Sequence, residues 1–138
     1  MALWHLGSGE VTSLRLWRTG EHTFRVIQYD EPVDVLTNYD YILLDRKYEP
    51  LLHQLGEQLL FTPVTVTDQV RQLVWNNYVE VKIKHSIDAE QMDQPFAGTW
   101  RIFSFDREHV FVSPRLKEAF QQVRGQQLVF SLGLSRFG

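Results

Sequence analysis

The chain has 138 residues and a mass of 16.3 kDa, which is the size of one ordinary domain. Apolar residues make up 43% and cysteine is absent, which excludes a disordered chain, a disulfide framework and a thiol nucleophile. The 14 basic and 17 acidic residues give a net charge of -3, which argues against a nucleic-acid partner because such proteins usually carry a basic face.

No stretch of the sequence reaches the about 18 apolar residues that a membrane helix needs. The first residues, Met1 to Gly7, also lack the basic start and the long apolar run of a signal peptide. We therefore expect a cytoplasmic protein with no membrane partner.

The first third of the chain is predicted to form strands. Residues 13–18 and 22–29 alternate apolar and polar side chains around a turn at 19–21, which is typical of a β-hairpin. The acidic stretch that follows is broken by Pro32 and is predicted to be a loop. A short apolar run at 41–44 indicates a buried strand.

A helical period begins after Asp45, because apolar residues recur at intervals of three and four positions. These residues are Tyr48, Leu51, Leu52 and Leu55. Pro50 lies too far inside this pattern for one continuous helix. We therefore expect a separate turn at 46–49, a regular helix from Pro50 onward and an end at Gly56.

The middle of the chain is predicted to return to strands. Two apolar segments lie on either side of Pro63, and the dipeptide Asn76-Asn77 favours a tight hairpin between two further strands. Residues 78–84 alternate strictly, which predicts one buried face and one solvent face. The predicted solvent face carries Tyr78, Glu80, Lys82 and Lys84.

The last third contains a polar loop, a second helix and more strands. Residues 86–98 are acidic and interrupted by proline and glycine, which is typical of a loop. Ser113 is a good residue to cap a helix, Pro114 suits its first position, and Gly125 can end it. Strands are predicted at 100–105, 110–112 and 128–130.

The two strand–helix–strand segments match each other. The apolar helical residues of the second segment are Leu116, Ala119, Phe120 and Val123, at a constant offset of 68 from those of the first. The closing glycine and the sequence Gln-Leu-(Leu/Val)-Phe match at an offset of 69, with one residue inserted at Arg124. We interpret this match as an internal duplication.

These elements predict one α+β domain over residues 1–138, with an antiparallel-rich sheet and two helices from two related strand–helix–strand units. An N-terminal β-hairpin occupies residues 1–38. The first repeat and its hairpin occupy 39–85, and the second repeat occupies 99–138.

No recognisable constellation of residues points to catalysis. The five histidines lack the spacing of a metal site, and Gly7-Ser8-Gly9 fits no phosphate or nucleophile motif and is interpreted as a turn. The aromatic residues of the strands, Trp17 included, are interpreted as core. We therefore expect no enzyme activity, no cofactor and no metal. A hydrolase that uses His109 with a nearby carboxylate is a minor alternative.

Two acidic loops are the main asymmetry of the charged residues. The stretch from Asp30 to Asp45 contains five carboxylates and no basic residue, and tyrosines are interleaved with them. Such a mixture suits an interface with a basic protein partner, although two solvated loops have the same composition. The candidate interface residues are Asp30, Glu31, Asp34, Tyr39, Asp40, Asp88, Glu90 and Asp93.

Two segments carry a family resemblance. One runs from Tyr41-Ile42-Leu43-Leu44-Asp45 to residue 66, and the other contains the motif F-V-S-x-x-L-K-E-A at 111–119. Together they resemble a family of small bacterial immunity proteins, whose genes accompany toxins of contact-dependent and secreted polymorphic-toxin systems. The resemblance covers roughly residues 40–138, and the chain departs from the family pattern at 124–127.

This resemblance implies a cytoplasmic protein that binds a cognate bacterial toxin and blocks its active site or the access of its substrate. The family has no catalytic residues to carry over. An adaptor or chaperone for a secreted effector is the alternative. Both a monomer and a homodimer are compatible with the sequence.

Overall fold

The computed structural model describes residues 3–9, 12–92 and 98–134. These residues form two antiparallel-rich β-sheets and two short α-helices, so the predicted α+β class is confirmed. In these ranges no helix combines the length and the apolar character that crossing a membrane requires.

Ten strands and two α-helices are found in the described part of the chain. The strands are β1 (Trp4–Ser8), β2 (Arg15–Gly20), β3 (Thr23–Gln28), β4 (Val35–Thr37), β5 (Ile42–Asp45), β6 (Leu59–Asp68), β7 (Leu73–Ile83), β8 (Ile102–Phe105), β9 (His109–Val112) and β10 (Leu128–Leu132). The helices are α1 (Glu49–Gln54) and α2 (Pro114–Gln121). Short 3-10 turns lie at Arg46–Tyr48, Gly56–Gln58 and Ala89–Gln91.

The strands divide between a four-stranded sheet, in the order β10-β1-β9-β8, and a six-stranded sheet, in the order β2-β3-β6-β7-β5-β4. Neighbouring strands are antiparallel except for β3 and β6, which are parallel.

Both repeats have the topology of a split β-α-β unit. In the first unit β7 lies between β5 and β6, and in the second β1 lies between β9 and β10. The hairpin partners β4 and β8 occupy the same outer place in the two units. This match supports the interpretation as a duplication. The middle strand differs in origin, because β7 follows its unit in the sequence whereas β1 comes from the N-terminal segment.

The main core lies between the two units. Successive residues of a strand point to opposite faces, so Ile42 and Leu44 of β5 face α1 and α2 while Tyr41 and Leu43 face the other way. Both helices contribute residues to this core. The ring of Tyr48, in the turn before α1, and that of Phe120 in α2 have centroids 5.6 Å apart.

A second core covers the opposite face of the six-stranded sheet. The hairpin of β2 and β3 curls over that face and contributes Leu16 and Phe24, which pack with Tyr41 and Tyr78. The Leu16 N–H donates a hydrogen bond to the Tyr41 hydroxyl at 3.4 Å. The sheet is therefore covered on both faces along much of its width.

Several sequence predictions are confirmed. The hairpin of β2 and β3, the separate turn at Arg46–Tyr48 and the end of the first helix at Gly56, where φ is +57°, all form. The second helix ends earlier than predicted, because α2 stops at Gln121 and Gly125, with a φ of +78°, lies in the turn that follows. The regular helix α1 begins at Glu49, one residue earlier than predicted. At these glycines the left-handed backbone conformation favours a residue without a Cβ atom.

The predicted hairpin at Asn76-Asn77 is wrong, because β7 runs without interruption from Leu73 to Ile83. The turn lies instead at 69–72, where Gln72 has a φ of +54°. Asn76 and Asn77 lie within β7 opposite a register shift between Val64 and Val66 of the partner strand β6. Thr65 Oγ1 and Asn76 Oδ1 lie 3.1 Å apart in a hydrogen bond that the threonine hydroxyl donates.

The solvent face predicted for residues 78–84 is also wrong in its first half. Tyr78 and Glu80 are buried, because the hairpin of β2 and β3 covers them. Lys82 and Lys84 are exposed as predicted.

Two local predictions fail because long-range contacts use the residues differently. Gly7 and Ser8 form part of β1 rather than a turn. The Ser113 side chain makes no cap on α2, because it donates to the Thr99 carbonyl oxygen at 2.6 Å and accepts from the Arg101 N–H at 2.8 Å.

The position of the β6–β7 turn can be tested by inserting two glycines at either location. Insertion after Val70 should lower the free energy of unfolding by no more than about 1 kcal/mol, because lengthening a turn costs little. Insertion between Asn76 and Asn77 should cost several times as much, because it displaces one half of β7 from its partners. Urea unfolding measures both variants, and equal losses would contradict the observed register.

Candidate functional site

An open cleft of about 520 Å³ lies where the two sheets meet. Clefts at such junctions are common binding sites because several elements can each contribute a few side chains. Here the β4–β5 turn, the end of β7 and the β8–β9 hairpin form the walls. The charged and aromatic lining residues are Arg18, Glu21, Tyr39, Asp40, Tyr41, Glu80, Lys82 and Arg107.

Arg18 organises one wall of the cleft through its guanidinium group. The two terminal nitrogens donate to the two carboxylate oxygens of Glu80 at 3.2 and 2.5 Å. They also donate to the carbonyl oxygens of Glu21, at 3.2 Å, and Asp40, at 3.1 Å, while Nε bonds to the Asp40 carboxylate at 3.2 Å. These contacts engage all five N–H groups that arginine carries.

The burial of Glu80 explains this arrangement. Its side chain is only 6% exposed, and a buried carboxylate is costly unless it is paired and hydrogen-bonded. The hydrogen bond to Glu80 raises the pKa of Arg18 above its ordinary value. Since its donors are fully engaged, Arg18 acts by positioning the cleft wall. The Asp40 carboxylate, which Arg18 Nε holds, is 58% exposed and faces solvent.

Two exposed aromatic side chains flank Asp40. Tyr39 is 64% exposed and Trp17 is 62% exposed. A notch of about 190 Å³ lies between Trp17, Asn38 and Asp40. We call Trp17, Tyr39 and Asp40 the aromatic rim.

The sequence prediction identified Tyr39 and Asp40 but placed Trp17 in the core. The alternation of β2 could have shown that Trp17 is exposed. Trp17 lies on the same face of the strand as the exposed Arg15, whereas Leu14 and Leu16 lie on the buried face.

The other acidic candidates do not join this rim. Asp30 lies beside the start of β2, where its carboxylate accepts the N–H of Ser13 at 2.7 Å and of Glu31 at 2.8 Å. The bond from Ser13 is the main reason that the pKa of Asp30 is lowered. Glu31 is exposed in the same loop.

The second acidic loop is a separate feature. Asp88 and Gln91 form a reciprocal capping box around a 3-10 turn, and Glu90 is exposed within it. Asp93 lies outside the described residues.

Asp34 is a correction to the set of surface residues, because the structure buries it between the two units. Its carboxylate accepts a hydrogen bond from the Tyr48 hydroxyl and one from the Gln127 N–H at 3.0 Å, and it pairs with the Lys47 ammonium at 3.1 Å. A charge reversal at Asp34 would therefore destabilise the fold instead of probing an interface.

A smaller cleft of about 270 Å³ lies at the related junction of the second unit. The repeat offset puts Glu108 and His109 in the places of Asp40 and Tyr41, and strand pairing puts His5 in the place of Glu80. The two histidine rings have centroids 5.5 Å apart. The Ser8 hydroxyl in this cleft is engaged by both backbone groups of Val35, so it gives the hydrolase alternative no ready nucleophile.

Metal binding finds no support in the side chains that the structure describes. Within the ranges 3–9, 12–92 and 98–134, no group of three or more histidine, aspartate or glutamate side chains is placed to hold an ion.

Arg18→Met should lower the free energy of unfolding by about 2–4 kcal/mol, because it leaves the buried Glu80 carboxylate without its partner. Arg15→Met is the matched control, since Arg15 lies exposed on the same strand. Adding Glu80→Gln to Arg18→Met should recover part of the loss. Urea unfolding of the four proteins measures these differences, and equal stability of the two arginine variants would contradict the role of Arg18.

Tyr48→Phe should lower stability at pH 7 by about 1–3 kcal/mol, because the buried Asp34 carboxylate loses a donor. Burial and the bond to Asp34 raise the pKa of Tyr48 in the folded protein. Unfolded tyrosine titrates near its ordinary value of about 10, so the stabilisation is complete below that pH and is lost as the pH rises above it. The free energy of unfolding should thus fall less between pH 9 and 11 in Tyr48→Phe than in the parent chain. Denaturant titrations at several pH values measure it, and the same fall in both proteins would contradict this assignment.

Comparison with protein-family models, curated proteins and solved structures finds no match to this chain. The candidate site is therefore defined by its own geometry: the hydrogen-bonded contacts of Arg18 with Glu80 and Asp40, a cleft with both signs of charge, and the exposed aromatic rim.

Proposed function

We propose that this chain is a cytoplasmic immunity protein that binds a cognate secreted bacterial toxin through the aromatic rim and the adjoining cleft. It acts by binding alone, and it blocks the toxin's active site or the access of its substrate. The observation that carries the proposal is the pair of aromatic side chains, each more than 60% exposed, that line the cleft and the notch together with Asp40. The family resemblance of residues 40–138 supplies the class of partner.

The composition of the rim supports a protein interface. Tryptophan, tyrosine and arginine are the residues that most often dominate the binding energy of such interfaces. An interface of standard size covers about 800 Å² on each partner, which is near a tenth of the 7943 Å² of accessible surface. The rim and the cleft together can form the centre of such an area.

The rigidity of the rim also supports binding. Asn38 Oδ1 accepts the N–H of Asp40 at 2.7 Å and of Tyr41 at 3.0 Å, which fixes the β4–β5 turn. Arg18 fixes the same turn from β2. A surface that is already ordered loses less conformational entropy on association.

The charges around the rim refine the expected partner. Glu21 and Asp40 are balanced by Lys82 and Arg107 across the cleft. We therefore expect a partner surface with both signs of charge, in place of the basic partner that the acidic loops suggested. Electrostatic attraction should then speed the association only modestly.

Trp17→Ala and Tyr39→Ala should each weaken toxin binding by about 30-fold or more, because truncating a central aromatic residue typically costs 2 kcal/mol or more. Val70→Ala is the matched control, since Val70 is exposed in the turn at the far end of β6. Calorimetry with the purified toxin measures the affinities. Circular dichroism and thermal melting should show that all three variants fold like the parent chain.

A survival assay tests the same proposal in cells. Each toxin candidate encoded next to the gene of this chain is expressed with and without the chain, and colonies are counted. The parent chain and Val70→Ala should protect, whereas the rim variants should protect poorly. Full protection by both rim variants would exclude the rim as the binding surface. Failure of the parent chain against an active toxin would exclude immunity to that toxin and favour the adaptor alternative.

A further inference from the structure

The edges of the two sheets differ in how they are protected. An unprotected edge strand presents free backbone groups and tends to pair with another strand. Along β8, the Ser104 N–H donates to the His85 carbonyl oxygen at 3.0 Å and the Ser104 carbonyl oxygen accepts from the Ile87 N–H at 2.9 Å. The Gln58 side chain covers the Ile102 N–H at 3.1 Å. This edge is closed by the chain itself.

The two edges of the six-stranded sheet are also protected. Strand β4 has three residues, and the Ser8 hydroxyl bonds to both backbone groups of Val35. Strand β2 carries register shifts at Arg15/Leu16 and at Arg18/Gly20, and its Leu16 N–H is bound by Tyr41. Short strands, irregular register and charged side chains are the usual protection against edge pairing.

Strand β10 lacks these protections. It pairs with β1 in an uninterrupted register over five residues, from Leu128 to Leu132. Its sequence, Leu-Val-Phe-Ser-Leu, contains no charged residue and no proline. Val129 and Leu132 are exposed. Among the described residues, no strand lies on its outer side.

The hydrogen bonds to β1 fix which backbone groups of β10 face outward. The Gly9 N–H donates to the Gln127 carbonyl oxygen at 2.9 Å, and the Gly133 N–H donates to the Leu3 carbonyl oxygen at 2.7 Å. Because bonding alternates along an antiparallel pair, residues 129 and 131 also face β1. The outward residues are then Leu128, Phe130 and Leu132. Of these outward groups the Leu128 N–H donates to the Gln126 side-chain oxygen at 2.9 Å, so this one end of the edge is covered and Gln126 must move aside when another strand pairs there.

We propose that β10 pairs with β10 of a second copy of this chain, antiparallel and about a two-fold axis at Phe130. This register brings Phe130 opposite Phe130 of the second copy and Leu128 opposite Leu132, so the outward residues of both strands meet in hydrogen-bonding phase. The side chains of Val129 and of Ser131 in the second copy lie opposite each other on the face of the joined sheet that does not carry Phe130. Every pair is uncharged, and the two four-stranded sheets become one continuous sheet with an isologous contact.

The size of the contact sets its strength. A strand of five residues is about 17 Å long, which buries less than the roughly 800 Å² per partner of a standard interface. The dimer should therefore be weak, and its population should rise with protein concentration.

The absence of cysteine allows a direct test of the register. A mixture of Val129→Cys and Ser131→Cys should form a disulfide-linked dimer under mild oxidation, because directly opposite residues lie within disulfide reach. Each variant alone should cross-link poorly, because residues 129 and 129 of the two copies are diagonal neighbours about 7–8 Å apart. Both substitutions are small, so circular dichroism should show the parent fold. Equal cross-linking of all three samples, or none in the mixture, would overturn the proposal.

Sedimentation analysis supplies a second test without cross-linking. The parent chain should shift from monomer toward dimer as its concentration rises, and Leu132→Lys should stay monomeric because it places a charge on the edge. Val74→Lys, which adds the same charge to an exposed position within the six-stranded sheet, should dimerise like the parent. A parent chain that stays monomeric, or a Leu132→Lys variant that still dimerises, would refute the pairing. A parent chain that stays monomeric, together with loss of toxin binding in Leu132→Lys, would refute the pairing and assign the edge to the toxin.

Discussion

The buried carboxylate of Asp34 joins the two repeats more directly than any other single group described above. It binds Lys47 and Tyr48 of the first unit and the backbone of Gln127 in the second. Lys47 also donates to the Gly125 carbonyl oxygen at 3.0 Å, at the end of the second helical segment. One buried charge and its counter-ion therefore set the spacing of two units that otherwise meet through apolar packing. Apolar packing has little directional preference, so the polar contacts define the relative placement.

The repeat symmetry explains where the clefts lie. The Gln58 side chain of the first unit bonds to the Trp100 carbonyl oxygen, at 2.7 Å, just before β8. Gln127 is the counterpart of Gln58, and its backbone N–H donates to the Asp34 carboxylate just before β4. These reciprocal contacts close the interface between the units, and a cleft remains on each side of it. The two clefts then differ through their side chains, with Arg18 and Glu80 in one and His5 and His109 in the other.

Local patterns predicted the elements whose formation depends on neighbouring residues. The apolar period predicted both helices, Gly56 predicted the end of α1, and alternation predicted the hairpin of β2 and β3. The sequence could not show that Glu80 is buried, because its partner Arg18 lies 62 positions away. It could not place β1 either, since the five residues Trp-His-Leu-Gly-Ser have no clear period. In the candidate site, composition identified Tyr39 and Asp40. The contacts of Arg18 with Glu80 and Asp40 depend instead on how the sheet curls, which local sequence does not show.

The separate origins of the two middle strands affect the order in which the chain can fold during synthesis. All strands of the six-stranded sheet lie between residues 15 and 83, so that sheet can assemble while the remainder is still on the ribosome. Strand β1 precedes the other described strands in the sequence, yet its two partners are β9 and β10, more than 100 residues later. Such distant pairing is slow and leaves apolar strands exposed meanwhile. Among the described strands, β1 thus waits longest for its neighbours after it has been synthesised.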